Sequence, residues 1–133
     1  MSGNELSHKE IHMMRDSLSI LIVDDMRFNC EFIRRALKKE DYSKIDVINS
    51  APEALEHLKK TPVDVVMADW MMPEMDGLEL TQRIRKLDKE TLHYTSIVLL
   101  TSKDDSASIR NAFSQAKTNA DAITPATTAI AKL

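Results

Sequence analysis

Short apolar segments that alternate with segments of helical periodicity constrain the fold of this chain most. Ser19–Val23 is dominated by branched aliphatic residues, as in a strand that is buried on both faces of a sheet. From Arg27 to Glu40, apolar residues recur every three or four positions, which predicts an amphipathic helix. Alternation of this kind favours a parallel sheet covered by helices on both faces, with right-handed crossovers.

The same alternation continues towards the carboxyl end of the chain. Ser50 and Glu53 have the spacing of a capping box, with a proline in the first turn, and predict a helix that ends near Lys60. Further strands are predicted at Ile45–Ile48, Val63–Ala68 and Ser96–Leu100, and further helices at Gly77–Leu87 and along an apolar stripe from Ile109 to Ala116.

The two ends of the chain are less regular. Residues 1–17 are predicted to be an extension with a short helix, because Ser7 and Glu10 also have capping-box spacing. Residues 18–133 are predicted to form one domain with no output domain after it. Within it, Ala120–Pro125 would supply a short fifth strand and Ala126–Leu133 about two helical turns.

Composition excludes several classes of protein. There is no apolar run near the roughly 20 residues of a membrane helix, and the polar N-terminus does not resemble a secretory signal. Two glycines are too few for a glycine-rich phosphate loop, and one cysteine cannot form an internal disulfide. A net charge of −3 does not suggest direct nucleic-acid binding. A cytoplasmic location without membrane contact is therefore expected.

Polar residues follow three of the predicted strands. Asp24 and Asp25 follow the first strand, Asp69 follows the third and Thr101 the fourth. Ligands of parallel α/β folds bind beyond the carboxyl ends of the strands, so these side chains are expected to converge. Three carboxylates in one place repel one another, and a bound Mg²⁺ would relieve the repulsion. The alternative is that they are ordinary aspartates at loop starts, with Asp25 capping the following helix.

Three segments resemble the receiver domain of bacterial two-component response regulators, the CheY-like family. They are Ile20–Met26, Val65–Gly77 and Ile97–Ser102, and the loop after Asp69 carries the family's Met72-Pro73 and Asp76-Gly77 pairs. The resemblance covers about Leu18 to Pro125. It implies a flavodoxin-like, doubly wound, five-stranded parallel sheet in the order 2-1-3-4-5, with helices on both faces and a short or irregular fifth strand and last helix.

The resemblance also implies a role for each site residue. Asp69 would accept a phosphoryl group from the phosphohistidine of a sensor histidine kinase or a phosphotransfer protein. Asp25 and Asp69 would hold Mg²⁺ directly, Asp24 mainly through water, and Met71 through its backbone carbonyl. Thr101 would hydrogen-bond the phosphoryl group.

On this interpretation the chain is a phosphorelay signalling module rather than an enzyme. Its phosphorylation would alter contacts with a downstream protein target, with a homodimer as a further option. Any autodephosphorylation would be slow, because the Met71 side chain cannot orient an attacking water by hydrogen bonding.

One departure from the family leaves a second function open. Receivers normally carry a Lys-Pro pair after the fifth strand, but here Thr124 precedes Pro125. Lys117 comes too early to replace the lysine, and Lys132 comes well after the proline. The alternative is therefore a degenerate pseudo-receiver that acts as a phosphate-independent interaction module. An Asp-dependent phosphohydrolase is disfavoured, because its Asp-x-Asp pattern differs from the adjacent Asp24 and Asp25.

Overall fold

The computed structural model describes residues 6–101 and 128–132, which form a parallel sheet and four helices. In chain order the elements are α1 (His8–Ser17), β1 (Ser19–Val23), α2 (Arg27–Lys39), β2 (Lys44–Ile48), α3 (Ala51–Lys60), β3 (Val65–Asp69), α4 (Gly77–Thr91), β4 (Ser96–Thr101) and β5 (Thr128–Lys132). The five strands lie in the order β2-β1-β3-β4-β5, and every neighbouring pair is parallel. The predicted fold class and strand order are confirmed.

The sheet separates two apolar clusters. Leu21 and Val23 of β1 face the larger cluster, which includes Leu55 of α3 and Leu80 of α4. Ile20 and Ile22 face the other side and pack with the buried face of α2. Since β1 is buried on both faces, its uninterrupted apolar composition follows from its central position.

Capping side chains fix where three of the helices begin. Ser7 and Glu10 form the capping box of α1. The Ser50 hydroxyl accepts from the Glu53 N–H at the start of α3, and the Asp76 carboxylate accepts from the Glu79 N–H at 2.8 Å at the start of α4. These contacts satisfy N–H groups that have no partner within the helix.

The tail departs from the sequence prediction. Ala126–Leu133 is predicted to form about two helical turns, but Thr128–Lys132 within it forms β5 and pairs with β4 from Ile97↔Thr128 to Thr101↔Lys132. The prediction was wrong because pairing with the otherwise open edge of β4 outweighs a weak local preference. The strand predicted at Ala120–Pro125 and the stripe from Ile109 to Ala116 lie outside the described residues.

Among the described residues, no helix is both long and apolar enough to cross a membrane.

Candidate functional site

Three carboxylates meet at the carboxyl edge of the sheet. Asp69 ends β3, and Asp24 and Asp25 come directly after β1, its neighbour in the sheet. One carboxylate oxygen from each residue lies within 4.8 Å of the other two. Because parallel strands end at a common edge, residues 44 or more positions apart in the sequence are brought within reach of one ion.

Asp24 is the buried member of this acidic cluster, with 2% of its surface exposed. Its Oδ1 accepts a hydrogen bond from the Met26 N–H at 2.9 Å, which turns the chain towards α2. Burial raises the pKa of Asp24, and the neighbouring charge of Asp25 adds to that rise, while the Met26 and Asn29 hydrogen bonds oppose it.

Asp25 is exposed, and it does not cap the following helix. The N-cap position of α2 belongs to Met26, which makes no side-chain capping bond. The alternative in which Asp25 is simply a capping residue is therefore wrong. Its carboxylate instead faces the other two acids.

The solvent exposure of Asp69 is intermediate between that of the buried Asp24 and that of the exposed Asp25. Burial raises the pKa of its carboxyl group, and the negative charge of Asp24 raises it further. Its Oδ1 accepts a long hydrogen bond from the Met71 N–H at 3.4 Å, which lowers the same pKa. The backbone of Met71 therefore lies beside Asp69, with its side chain exposed.

The loop after Asp69 closes tightly because of Gly77. The Gly77 N–H donates to the Trp70 carbonyl at 2.8 Å, and the Trp70 N–H donates to the Leu100 carbonyl at 2.9 Å. A Cβ atom at Gly77 would lie 2.8 Å from the backbone oxygen of Asp69 and 2.9 Å from Leu99 Cδ2. This glycine thus allows α4 to begin directly against the strand that carries Asp69.

The backbone register of β4 and β5 places two further residues at the carboxyl edge of the sheet. Thr101 is the last residue of β4, and Lys132, the last residue of β5, is paired with it. The sequence prediction placed Lys132 in a helical tail, so this pairing was not expected. The β-branched Thr128 and Ile130 were the available signal for a strand here.

The two histidines of α1 do not belong to the acidic cluster. His8 and His12 are exposed on α1, and His12 Nδ1 lies 3.4 Å from an Asp41 carboxylate oxygen. The one cysteine, Cys30, is buried on α2, with 2% of its surface exposed.

The donor set suits a hard divalent cation. All three side chains are oxygen ligands, and one of them is exposed, so that an ion could keep part of its water shell. The raised pKa values of Asp24 and Asp69 reflect burial and mutual repulsion that a cation would offset.

Comparisons with known proteins agree with this architecture. The chain is 41% identical over 73 residues to hybrid signal transduction histidine kinase B of Dictyostelium discoideum, covering 55% of this chain and 4% of that protein. It is 40% identical over 72 residues to the sensor histidine kinase RcsC of Escherichia coli, covering 54% of this chain and 8% of that protein. The chain thus spans a small part of the length of these relatives.

A solved structure is similar over most of the chain. It is the receiver domain of the histidine kinase CKI1 from Arabidopsis thaliana, complexed with Mg²⁺ and BeF₃⁻. The TM-score is 0.71 at 26% identity, with 79% of each chain covered. The family model for the response regulator receiver domain matches residues 20–122. The chain therefore belongs to the response regulator receiver domain family, the signalling modules of two-component and phosphorelay systems.

Proposed function

We propose that this receiver domain accepts a phosphoryl group on Asp69 from a phosphohistidine, with Mg²⁺ held by the acidic cluster. The observation that carries the proposal is the convergence of Asp24, Asp25 and Asp69 within 4.8 Å in a chain of this family. The CKI1 receiver domain, solved with Mg²⁺ and BeF₃⁻, supports the choice of cation.

The chemistry requires one nucleophile and an offset of charge. A carboxylate oxygen of Asp69 would form a bond to phosphorus as the bond between phosphorus and the imidazole nitrogen breaks. The nitrogen keeps the electron pair of the broken bond, and the imidazole ends as the neutral ring after proton exchange with solvent. Mg²⁺, when bound, supplies positive charge opposite the phosphoryl oxygens. Asp25 and Asp69 would ligate it directly, Asp24 mainly through water, and Met71 through its backbone carbonyl.

Thr101, the last residue of β4, would complete the site from the strand next to β3. Thr101 would donate a hydrogen bond to the phosphoryl group. The assembled acidic cluster disfavours the degenerate pseudo-receiver, because a module that needs no phosphate has no need of three converging carboxylates.

The phosphodonor would dock on the outer face of α2. Phe28 and Phe32 are 79% and 64% exposed there, and they border a groove of about 610 Å³. Arg27, Arg35 and Lys39 line the groove and Glu31 is its one acidic residue, so an amphipathic helix with acidic flanks fits it. Because α2 begins two residues after Asp25, such a partner would reach the acidic cluster.

Phosphodonor labelling tests the acceptor role. The full chain is incubated with acetyl phosphate, with Mg²⁺ or with EDTA, and intact mass is recorded. We expect a gain of one phosphoryl group that requires Mg²⁺ and is lost in Asp69→Asn. The matched control is Asp46→Asn, which removes an exposed carboxylate in β2 and should still be labelled. Labelling of Asp69→Asn equal to that of the native chain would contradict the proposal.

A second experiment tests the docking face. In Phe32→Ser, transfer from a histidine-phosphorylated phosphotransfer protein should slow about tenfold or more, as for an interface anchor worth at least 1.4 kcal/mol. Labelling by acetyl phosphate should not change, because this small donor needs no docking face. Tyr94→Ser is the matched control, since it replaces an exposed aromatic residue just before β4, at the opposite edge of the sheet. Equal slowing of both variants with the protein donor would place docking elsewhere.

A further inference from the structure

The carbonyl of Asp24 lies where the ladder between β1 and β2 ends. The paired register stops at Val23↔Ile48, and the Asp24 N–H makes one more bond, to the Ile48 carbonyl at 3.3 Å. A continuing parallel ladder would next bring an N–H of β2 to the Asp24 carbonyl. At that point, however, Ser50 is already the N-cap of α3. Because Asp24 is buried, its carbonyl needs a donor from elsewhere.

The side chain of Asn49 provides this donor. Its Nδ2 donates to the Asp24 carbonyl at 2.9 Å. The thiol of Cys30, on the buried face of α2, lies 3.5 Å from the same carbonyl oxygen and 3.5 Å from Asn49 Nδ2. The amide of Asn49 therefore takes the place of the missing ladder bond, and the weaker sulfur contact supports it.

The orientation of the Asp24 carbonyl is linked to the relative orientation of the Asp24 and Asp25 carboxylates. It belongs to the peptide unit that joins Asp24 to Asp25, so a change in ψ of Asp24 or in φ of Asp25, which set the orientation of this unit, would turn one carboxylate relative to the other. The Asp24 carboxylate is separately fixed by the Met26 N–H at 2.9 Å. The Asn49 bond holds the opposite side of the same turn.

We infer that Asn49 is a positioning residue, whose amide holds the Asp24–Asp25 peptide in the orientation that brings both carboxylates to one cation. The inference rests on the proposed Mg²⁺ site. It assigns to Asn49 no contact with the ion or with the phosphoryl group. Removal of groups that orient metal ligands typically weakens metal affinity by about 10- to 100-fold.

Calorimetric titration of the full chain with Mg²⁺ tests the inference. Asn49→Ala and the similarly sized Asn49→Leu both remove the donor, and each should raise the Mg²⁺ Kd about tenfold or more. In metal-free protein, the ¹⁵N–¹H resonance of Asp25 should shift in both variants, because its N–H belongs to the released peptide. Cys30→Ala should raise the Kd less than either, since sulfur is the weaker partner.

A destabilised control separates positioning from general loss of stability. Thr95→Val removes a buried hydrogen bond, from Thr95 Oγ1 to Asp88 Oδ1 at 2.7 Å, at the opposite edge of the sheet. It should lower the free energy of unfolding in EDTA but leave the Mg²⁺ Kd and the Asp25 resonance unchanged.

Each outcome is decisive. If the native chain binds Mg²⁺ and the Asn49 variants bind it within twofold as tightly, the positioning role is wrong and the proposed function stands. Equal weakening in Thr95→Val would also overturn the positioning role, because loss of stability would then explain it. If the native chain itself binds no Mg²⁺, both this inference and the proposed metal site fall.

Discussion

Gly77 is the residue on which the close approach of α4 to β3 depends. In Gly77→Ala, the new Cβ would meet the Asp69 backbone oxygen at 2.8 Å, and neither backbone can yield as a flexible side chain would. We expect the free energy of unfolding to fall by about 1–3 kcal/mol, as for other overpacked sites. Urea denaturation in EDTA measures it. Unchanged stability would mean that the loop can open without cost.

The positions of Asp24, Asp25 and Asp69 could be predicted from the sequence, but their burial could not. Their places after Val23 and Ala68 follow from the apolar runs before them, since a run of strand residues must end at a sheet edge. The burial of Asp24 and the exposure of Asp25 depend instead on where α2 and β2 pack. Asn49 carried no sequence signal, because its role exists only once β1 and β2 are paired.

The helix α4 ends in a backbone conformation that suits glycine better than the residue it carries. Leu92, its C-cap, has a left-handed backbone with φ of 55° and is 89% exposed, so its side chain contributes little packing. Glycine adopts this conformation without the steric penalty of a Cβ. Leu92→Gly should therefore raise the free energy of unfolding by up to about 1 kcal/mol, after the larger entropy of glycine in the unfolded chain is subtracted.

Thermal and urea unfolding of the native chain and of Leu92→Gly measure this change in stability, with Thr91→Gly as the matched control. Thr91 lies in the last helical turn, where glycine should lower stability by about 0.5–1 kcal/mol. A loss of stability in Leu92→Gly as large as that in Thr91→Gly would contradict the capping argument.

Whole elements were predicted well where packing and local preference agree. β1 has the predicted bounds, Ser19–Val23, and α2 starts at the predicted Arg27. The tail shows the opposite case. Thr128–Lys132 contains two alanines, and only its pairing with β4 makes it a strand.

The acidic cluster should make the stability of the whole domain depend on pH and Mg²⁺ together. Burial raises the pKa values of Asp24 and Asp69, so the folded state binds more protons than the unfolded state above about pH 4, up to the raised values. In this window these two groups lower the free energy of unfolding as pH rises, and the loss persists at higher pH. Without metal, Asp24→Asn should therefore gain stability relative to the native chain as pH rises.

Mg²⁺ should instead favour the native chain over Asp24→Asn, because the ion binds the deprotonated acidic cluster. At a concentration one hundred times its Kd near neutral pH, it should raise the free energy of unfolding of the native chain by about 2.7 kcal/mol. It should add much less to Asp24→Asn, which has lost a carboxylate, and its effect on the native chain should fade as pH falls towards 4. Urea unfolding at several pH values, with Mg²⁺ or EDTA, measures both effects. If Mg²⁺ stabilised both chains equally at every pH, its binding would not involve the buried acid, and Asp24 would be a structural carboxylate only.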